Sequence, residues 1–403
     1  MQSENKTAIR RAPKLCDSAT CTGCAACMNI CPTGAISMQP DSEGFYRPTI
    51  DASKCIRCLK CEKICPVITP LTPNAESDKI FAAWHRYPSI RACSSSGGAF
   101  SALAQMVLKD GGCVVGASFD DRLHLSHVII SSLENLHKLR ASKYLQSEIS
   151  DIFQQMKTYL NDGRKVLFCG TPCQVAGVKS YFGSKYGENL ILADFVCHGV
   201  PSPLFFKKYI AWLSPKVGNI HDYLFRNKDK GWYDATRVIS TDSNSERRLK
   251  GRLDAYWTGF MDNLCLQETC YKCPFVGIQR NSDITIADFW GIGKQFKFKT
   301  PEEIEKGISM VMCNTPEGLN LFNSASEYLE FQERTMEEVV SGNQTIVRPC
   351  VRPARRDTFY RDLDEMEFQK FTEAYLTPSL KARIVKFMRE YLPGCIMMKI
   401  RQL

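Results

Sequence analysis

CTGCAACMNICP, residues 21–32, and CIRCLKCEKICP, residues 55–66, are one phrase written twice. Each copy reads CxxCxxCxxxCP: Cys21, Cys24, Cys27 and Cys31 before Pro32, then Cys55, Cys58, Cys61 and Cys65 before Pro66. Soft thiolates select zinc, copper(I) or iron–sulfur. Spacing this short wraps the backbone round whatever the sulfurs hold, so that successive amides can point at it. The closing proline removes a donor and ends the turn. Between the copies, GAISMQPDSEGFYRPTID predicts two short strands about a turn at Asp41-Ser42-Glu43-Gly44. After Pro66, the proline-rich VITPLTPNAESD reads as a linker.

A single CxxC leaves zinc open, but the doubled run is the one that bacterial two-cluster ferredoxins use. There the first three cysteines of a run bind one cluster and the fourth crosses to the other. Cys21, Cys24, Cys27 and Cys65 are therefore assigned to one 4Fe–4S cluster, and Cys55, Cys58, Cys61 and Cys31 to the second. The alternative is a pair of structural zinc sites. Cys16 falls outside the pattern and reads as a spare thiol.

Twenty cysteines in 403 residues would suit a disulfide scaffold only with an export signal. Met1 to Leu15 is polar and basic, and Arg10-Arg11 is not followed by an apolar run. No stretch is long and apolar enough to span a bilayer. The expected setting is a reducing cytoplasm, where clustered cysteines mean metal. The formal charge of +9 counts every thiol as neutral. Thiolate-held clusters and a bound diphosphate would cancel most of it, so the basic balance does not argue for nucleic acid.

From residue 79 strands alternate with helices, which predicts a covered sheet. Strands are expected at 80–84, 113–119, 126–131, 165–169, 190–196, 283–289 and 309–314. Helices are expected after Ser94-Ser95-Ser96-Gly97-Gly98, over most of 133–160, and from Ser202-Pro203. A hairpin over 223–241, turning near Lys230-Gly231, would make the sheet mixed. The expected fold class is thus α/β, a mixed sheet flanked by helices, with a small N-terminal bacterial ferredoxin-like α+β domain. The expected divisions are a flexible tail at 1–15, the two-cluster domain at 16–66, a linker at 67–78, the large domain at 79–360 and a helical segment at 361–403.

Ligands of such sheets bind where strands run into loops. Three loops carry unusual residues: Ser94 to Gly98, whose small side chains free amides for an anion; Gly170-Thr171-Pro172-Cys173-Gln174; and Cys197-His198-Gly199-Val200-Pro201. ETCYKCPF adds Cys270 and Cys273. Cys173, Cys197, Cys270 and Cys273 are the candidates for a third cluster, with a scattered zinc site or redox-active thiols as alternatives. Cys169 is a rival to Cys173, though its place in an apolar strand favours a core role. Cys93, Cys113, Cys313, Cys350 and Cys395 read as inert core residues.

Taken together, GTPCQ, VCHGVPSP, CYKCPF, SDITIADFWG and SSSGGAFSALA resemble the beta subunits of coenzyme F420-reducing hydrogenases and dehydrogenases, over roughly residues 79–360. The resemblance implies an FAD-binding α/β domain, a nearby 4Fe–4S cluster on Cys173, Cys197, Cys270 and Cys273, and hydride exchange with a deazaflavin or another two-electron partner. Clusters pass single electrons and organic substrates take two, so a flavin is the expected converter. Ser95, Ser96, Gly97 and Gly98 are the candidates for its diphosphate. Lys143, Tyr144, Gln146, Ser147, Gly170 and Thr171 are further candidates, the alternative for KYLQS being a solvated helix face. His198 is the candidate catalytic proton donor or cluster neighbour, the alternative being a loop cap. Asp288 with Trp290 reads as a substrate contact or a helix start.

The expected function is an iron–sulfur flavoprotein oxidoreductase. It would link a one-electron partner such as ferredoxin, or another subunit, to a two-electron small molecule, F420-like or other. The alternative is a non-catalytic electron-transfer subunit of a larger redox complex. Self-association is left open. The basic amphipathic stretch SLKARIVKFMREYLPGC is expected to pack as a helix on its own domain.

Overall fold

The two cysteine runs fold into matching single turns, α1 (Ala26–Asn29) and α2 (Lys60–Lys63). Each is entered through a left-handed residue, Ala25 at φ 59° and Leu59 at φ 60°. β1 (Ile36–Pro40) and β2 (Tyr46–Ile50) pair antiparallel, Ile36 opposite Ile50. Asp41 shapes their turn by accepting from the amides of Glu43 and Phe45, both at 3.0 Å. The structure, a computed structural model, describes residues 11–233, 236–242, 246–249, 254–293 and 296–377.

The rest of the chain is α/β. In order come β3 (Ile80–His85), α3 (Pro88–Ala92), α4 (Ala99–Lys109), β4 (Cys113–Phe119), β5 (Leu125–Ile130), α5 (Ile152–Asn161), β6 (Val166–Gly170), α6 (Pro172–Phe182), β7 (Leu190–Phe195) and α7 (Pro203–Val217). They are followed by β8 (Ile220–Asn227), β9 (Thr236–Thr241), β10 (Glu246–Leu249), α8 (Ala255–Met261), β11 (Ile284–Asp288), α9 (Pro301–Glu305) and β12 (Ser309–Cys313). The last are α10 (Pro316–Ser324), β13 (Leu329–Arg334), α11 (Met336–Gly342), α12 (Arg356–Glu365) and α13 (Phe368–Tyr375).

Eight strands form one sheet in the order β13-β3-β12-β11-β7-β6-β4-β5. Its centre, β11-β7-β6-β4, is parallel, and its flanks are antiparallel. Apolar residues of α4 and α10, such as Leu103, Val107 and Phe322, cover one face over Val114, Leu167 and Val311. α5 and α6 cover the other with Phe153, Val175 and Val178, and Cys24, Ala25 and Ala26 of the first cysteine run join that cluster. An aromatic core of α7, β8, α8, α12 and α13 takes in Phe45 from the hairpin. Each such apolar residue contributes roughly 1.5–3 kcal/mol when fully buried.

The mixed α/β sheet and the small cysteine-rich domain match expectation, but its source differs. The hairpin over 223–241 exists, yet it belongs to a separate three-stranded sheet, β10-β9-β8. Residues 133–160 are not mainly helical. A 3₁₀ turn at Leu133–Leu139 and α5 flank an extended loop. That loop spends its amides elsewhere: Ser142 donates to Ser95 Oγ (2.7 Å), Gln146 to Pro201 O (3.0 Å) and Glu148 to Leu125 O (2.9 Å). Ala141 is left-handed at φ 63°. Tertiary partners outbid local helix bonds.

The assumed boundaries blur as well. Arg11 grips Glu62 with two bonds of 2.6 Å, so the described end of the tail is held. The linker is fastened by Asn74 to Arg280 O and Ser282 O (both 2.8 Å), and by Ser77 to Cys313 O (2.7 Å). Position 360 falls within α12, which packs with α13 on the aromatic core. The basic stretch from residue 378 on, with Cys395, lies outside the described residues.

Candidate functional site

The first cysteine group is inward-facing. Cys24 interacts electrostatically with Cys21, Cys65 and Cys173, and Cys27 with Cys24, Cys21 and Cys65. Burial pushes the Cys24 thiol up to about 12. Cys21 Sγ accepts from Gly23 N at 3.4 Å. Cys31 Sγ accepts from Ala35 N at 3.3 Å, and although desolvation raises that thiol, amide donors outweigh it and lower its pKa. These are the amide–sulfur bonds expected of ligands wrapped by their own backbone. Cys16 is not simply spare: its Sγ lies 3.8 Å from Cys65 Sγ. Cys93, expected in the core, is exposed, whereas Cys113, Cys313 and Cys350 are buried as expected.

The third group converges from three loops. Cys173 sits in the first turn of α6, where Thr171 and Gln174 form a reciprocal capping box. Cys197 follows β7, and Cys270 and Cys273 belong to or follow a 3₁₀ turn at Glu268–Lys272. Cys197 interacts electrostatically with Cys173 and Cys273, and Cys270 with Cys197, Cys173 and Cys273. Burial raises all four thiols, Cys173 to about 12. Buried thiols among other thiols, with no disulfide between them, are a donor set for soft metal. Among the described residues no three His, Cys, Asp or Glu side chains close to the spacing of a single bound ion. The inner and third groups adjoin: a Cβ on Gly177 of α6 would lie 3.0 Å from Cys24 Sγ.

Beside the third group opens a cavity of about 1390 Å³ at the C-terminal ends of the parallel strands. Cys173, Cys197 and Thr22 of the first cysteine run are in its wall. Of the candidate residues, Ser95, Ser96, Gly98, Lys143, Tyr144, Gln146, Ser147, Gly170, Thr171 and His198 line it. Gly97 does not: its Cα faces Ala83 O and Ser309 N, where a Cβ would sit at 2.4 and 2.6 Å. Cys169 packs against the core under α4, as expected, and also lines the cavity. KYLQS is a cavity wall, not a solvated helix face.

Local bonds give these residues distinct abilities. Ser95 Oγ accepts from Ser142 N at 2.7 Å and keeps its own proton to donate. Ser96 Oγ donates to Ile308 O at 2.8 Å and offers only lone pairs. Gly98, at φ 94°, precedes α4 without a side-chain cap of its own, and the first amide, Ala99 N, donates to Ser309 Oγ at 3.5 Å. Lys143 Nζ donates to Lys138 O (3.0 Å) and Arg140 O (2.7 Å), and desolvation brings its pKa down to about 7. His198 Nε2 meets Asn263 Oδ1 at 2.6 Å, an orientation fixed because Asn263 Nδ2 donates to Val351 O. The His198 proton therefore resides on Nε2. Asp288, at the end of β11, lines the cavity with Trp290 and starts no helix. It pairs with Arg226 and accepts from Trp232 Nε1 at 2.6 Å, and Trp232 stacks on Trp290 at 4.6 Å.

Sequence reading missed His127 on β5. It lines the cavity, stacks on Phe168 at 5.3 Å, and bonds Cys169 O (3.2 Å) and Ser147 Oγ (2.8 Å). The carbonyl can only accept, so Nε2 carries the proton and Nδ1 takes that of Ser147. Burial lowers the His127 pKa to about 4. Arg140 and Arg226 were missed too. None of the three stands in a motif, and only strand pairing and the 140–151 loop bring them to the wall.

Comparison with known proteins gives the family of most of the chain. Residues 20–68 match the 4Fe-4S dicluster domain. Residues 80–154 match the N-terminal part, and residues 163–338 the C terminus, of the beta subunit of coenzyme F420 hydrogenase/dehydrogenase. No curated protein matches. A chain of the F420-reducing NiFe hydrogenase complex from Methanosarcina barkeri, solved with xenon, is 17% identical over 77% of this chain and 97% of that one, with a TM-score of 0.45. The two halves of the large domain and the cysteine-rich module before them place the chain in the coenzyme F420 hydrogenase/dehydrogenase beta-subunit family, with a 4Fe–4S dicluster domain at its N-terminal side.

Proposed function

We propose that this iron–sulfur protein is a flavin-dependent oxidoreductase with three 4Fe–4S clusters and one FAD, exchanging electrons between a one-electron carrier and a two-electron small molecule. One observation carries the reading: a single cavity has the thiols Cys173 and Cys197 and the first-run residue Thr22 in its wall. A mere relay needs no cavity of about 1390 Å³ at the end of its wire. That volume exceeds the roughly 300–1,000 Å³ of ordinary ligand pockets, which leaves space for a second molecule beside the cofactor.

The residues present fit a flavin. Gln146 and Thr236 line the cavity, and Gln146 Nε2 and Thr236 Oγ1 are buried polar atoms without a protein partner. Ser95 Oγ is a donor for a diphosphate, with the N-terminus of α4, Arg140 and Lys143 near in the wall. When bound, a flavin exchanges single electrons with clusters and hydride with organic substrates. The chain's own residues orient and shield. His198 holds a proton on Nε2 against Asn263, and its Nδ1 is left as an acceptor. Trp232, Trp290 and Trp257 give the wall flat apolar surfaces against which water is excluded.

The test is anaerobic purification with iron, sulfide and flavin quantified per chain. About twelve irons and one flavin are expected. About eight irons would remove the third cluster, and a flavin-free protein would remove the flavoenzyme. Cys273→Ala is expected to lose about four irons while leaving the other eight.

A further inference from the structure

We propose that the second cysteine run is the docking face for an acidic electron-carrier protein; this rests on the cluster reading above and adds where electrons enter or leave. Aligning the two runs cysteine on cysteine pairs Thr22 with Ile56, Gly23 with Arg57, Ala26 with Lys60 and Asn29 with Lys63. In the first run those positions are buried or closely packed: Thr22 is 6% exposed, Ala26 and Asn29 are buried, and a Cβ on Gly23 would lie 2.3 Å from Gln146 Nε2. In the second run Ile56 is 61% exposed, and Arg57, Lys60 and Lys63 are exposed beside it. Ile68, just after the run, is another exposed apolar side chain.

The acids nearby in sequence pair with cations other than Lys60 and Lys63. Glu62 is bound by Arg11 at 2.6 Å, and Asp51 pairs with Lys54 at 3.3 Å. The result is an exposed apolar side chain in a run of exposed cations, next in sequence to Cys55 and two residues from Cys58. Clusters exchange single electrons only at short range, so a partner must seat against this run and not elsewhere on the module. The complementary surface is acidic with a small apolar centre. Steering of that kind speeds encounter and weakens with salt. Small wet contacts are typical of electron-transfer pairs. Each encounter moves one electron: the carrier is oxidised by one and this protein is reduced by one, or the reverse.

The probe is a purified acidic two-cluster ferredoxin. Its second-order rate of electron transfer to the full chain is measured by stopped flow across salt concentrations, and its binding by titration calorimetry. The wild-type rate is expected to fall steeply with salt. The Lys60→Glu/Lys63→Glu protein should lose about tenfold or more at low salt, with binding weakened in parallel and the salt dependence flattened. Lys157→Glu, on the exposed side of α5, should match wild type. Reduced viologen, a small cationic donor, separates the two levels. If it cannot reduce an iron-loaded chain, the cluster reading itself fails. If it can, and charge reversal leaves the ferredoxin rate and its salt dependence unchanged, the docking face is overturned. Sedimentation of the chain with anionic phosphatidylserine vesicles, lost in the double variant while the ferredoxin rate is kept, would also overturn it in favour of a membrane surface.

Discussion

The first and second cysteine runs share ligand spacing, turn geometry and even the left-handed entry residue, yet their surroundings are opposite. The first is sealed into the core beneath α5 and α6, with Cys24 facing Gly177 and Cys173. The second shows Ile56, Arg57, Lys60 and Lys63 to solvent. The lesson is that the cysteines of a duplicated motif report what is held, while the residues between them report where each half points. Small residues mark the docked half, and long cationic ones the free half.

The largest way to break that contrast is to exchange the middle residues. Gly23→Arg puts a side chain at φ 71° where a Cβ already meets Gln146 Nε2 and the Tyr46 carbonyl, so it should cost about 3 kcal/mol or more. Arg57→Gly, at φ 55° on the free half, should shift stability by less than about 1 kcal/mol. Chemical denaturation of both variants checks this, and equal costs would erase the contrast.

A second test probes how dry the inner side is. The first run abuts the loop that carries Ser147, which holds neutral His127. The unfolded chain takes up a proton near pH 6.5, and the folded protein refuses it until about pH 4. The folded pKa is depressed, so this contribution is whole above pH 6.5 and is lost as pH falls through that window, by about 3 kcal/mol at its lower end. In His127→Gln the slope of stability against pH between 6.5 and 4 should be shallower. An unchanged slope would mean that this side is wet.

The smallest effect sharpens the outer half. Ile56→Asn should leave the unfolding free energy, from chemical denaturation, within about 0.5 kcal/mol of wild type, since an exposed side chain contributes little to folding. A large loss would show that Ile56 is structural.

Much of this was readable in the chain. The eight thiols were read from spacing and the hairpin between them from its turn residues, and the structure sets Cys65 among Cys21, Cys24 and Cys27, as the crossed scheme expects. Most strands of the large sheet lie within a residue or two of their expected places, because short apolar runs bounded by turns have few other uses. β13 was not anticipated: LEFQER is half charged, and it becomes a strand through backbone pairing with β3 at the sheet edge. The 140–151 loop was misread as helix because its apolar spacing resembles one, while its amides bond to distant residues. Gly97 read as a phosphate contact and proved to be a packing glycine. Local sequence does not say which atoms will press against a given Cα.

What the amino-acid order determined by itself is therefore chemistry of short range: thiol sets, turn geometry, strand and helix periods, each decided within a few residues. What only the tertiary structure decided is adjacency. It joined four thiols from three loops, set His127 and Arg226 in the cavity wall beside them, and turned one copy of a repeated motif inward and the other outward. Those outcomes depend on which surfaces bury one another, a property of the whole packed chain and of no single segment.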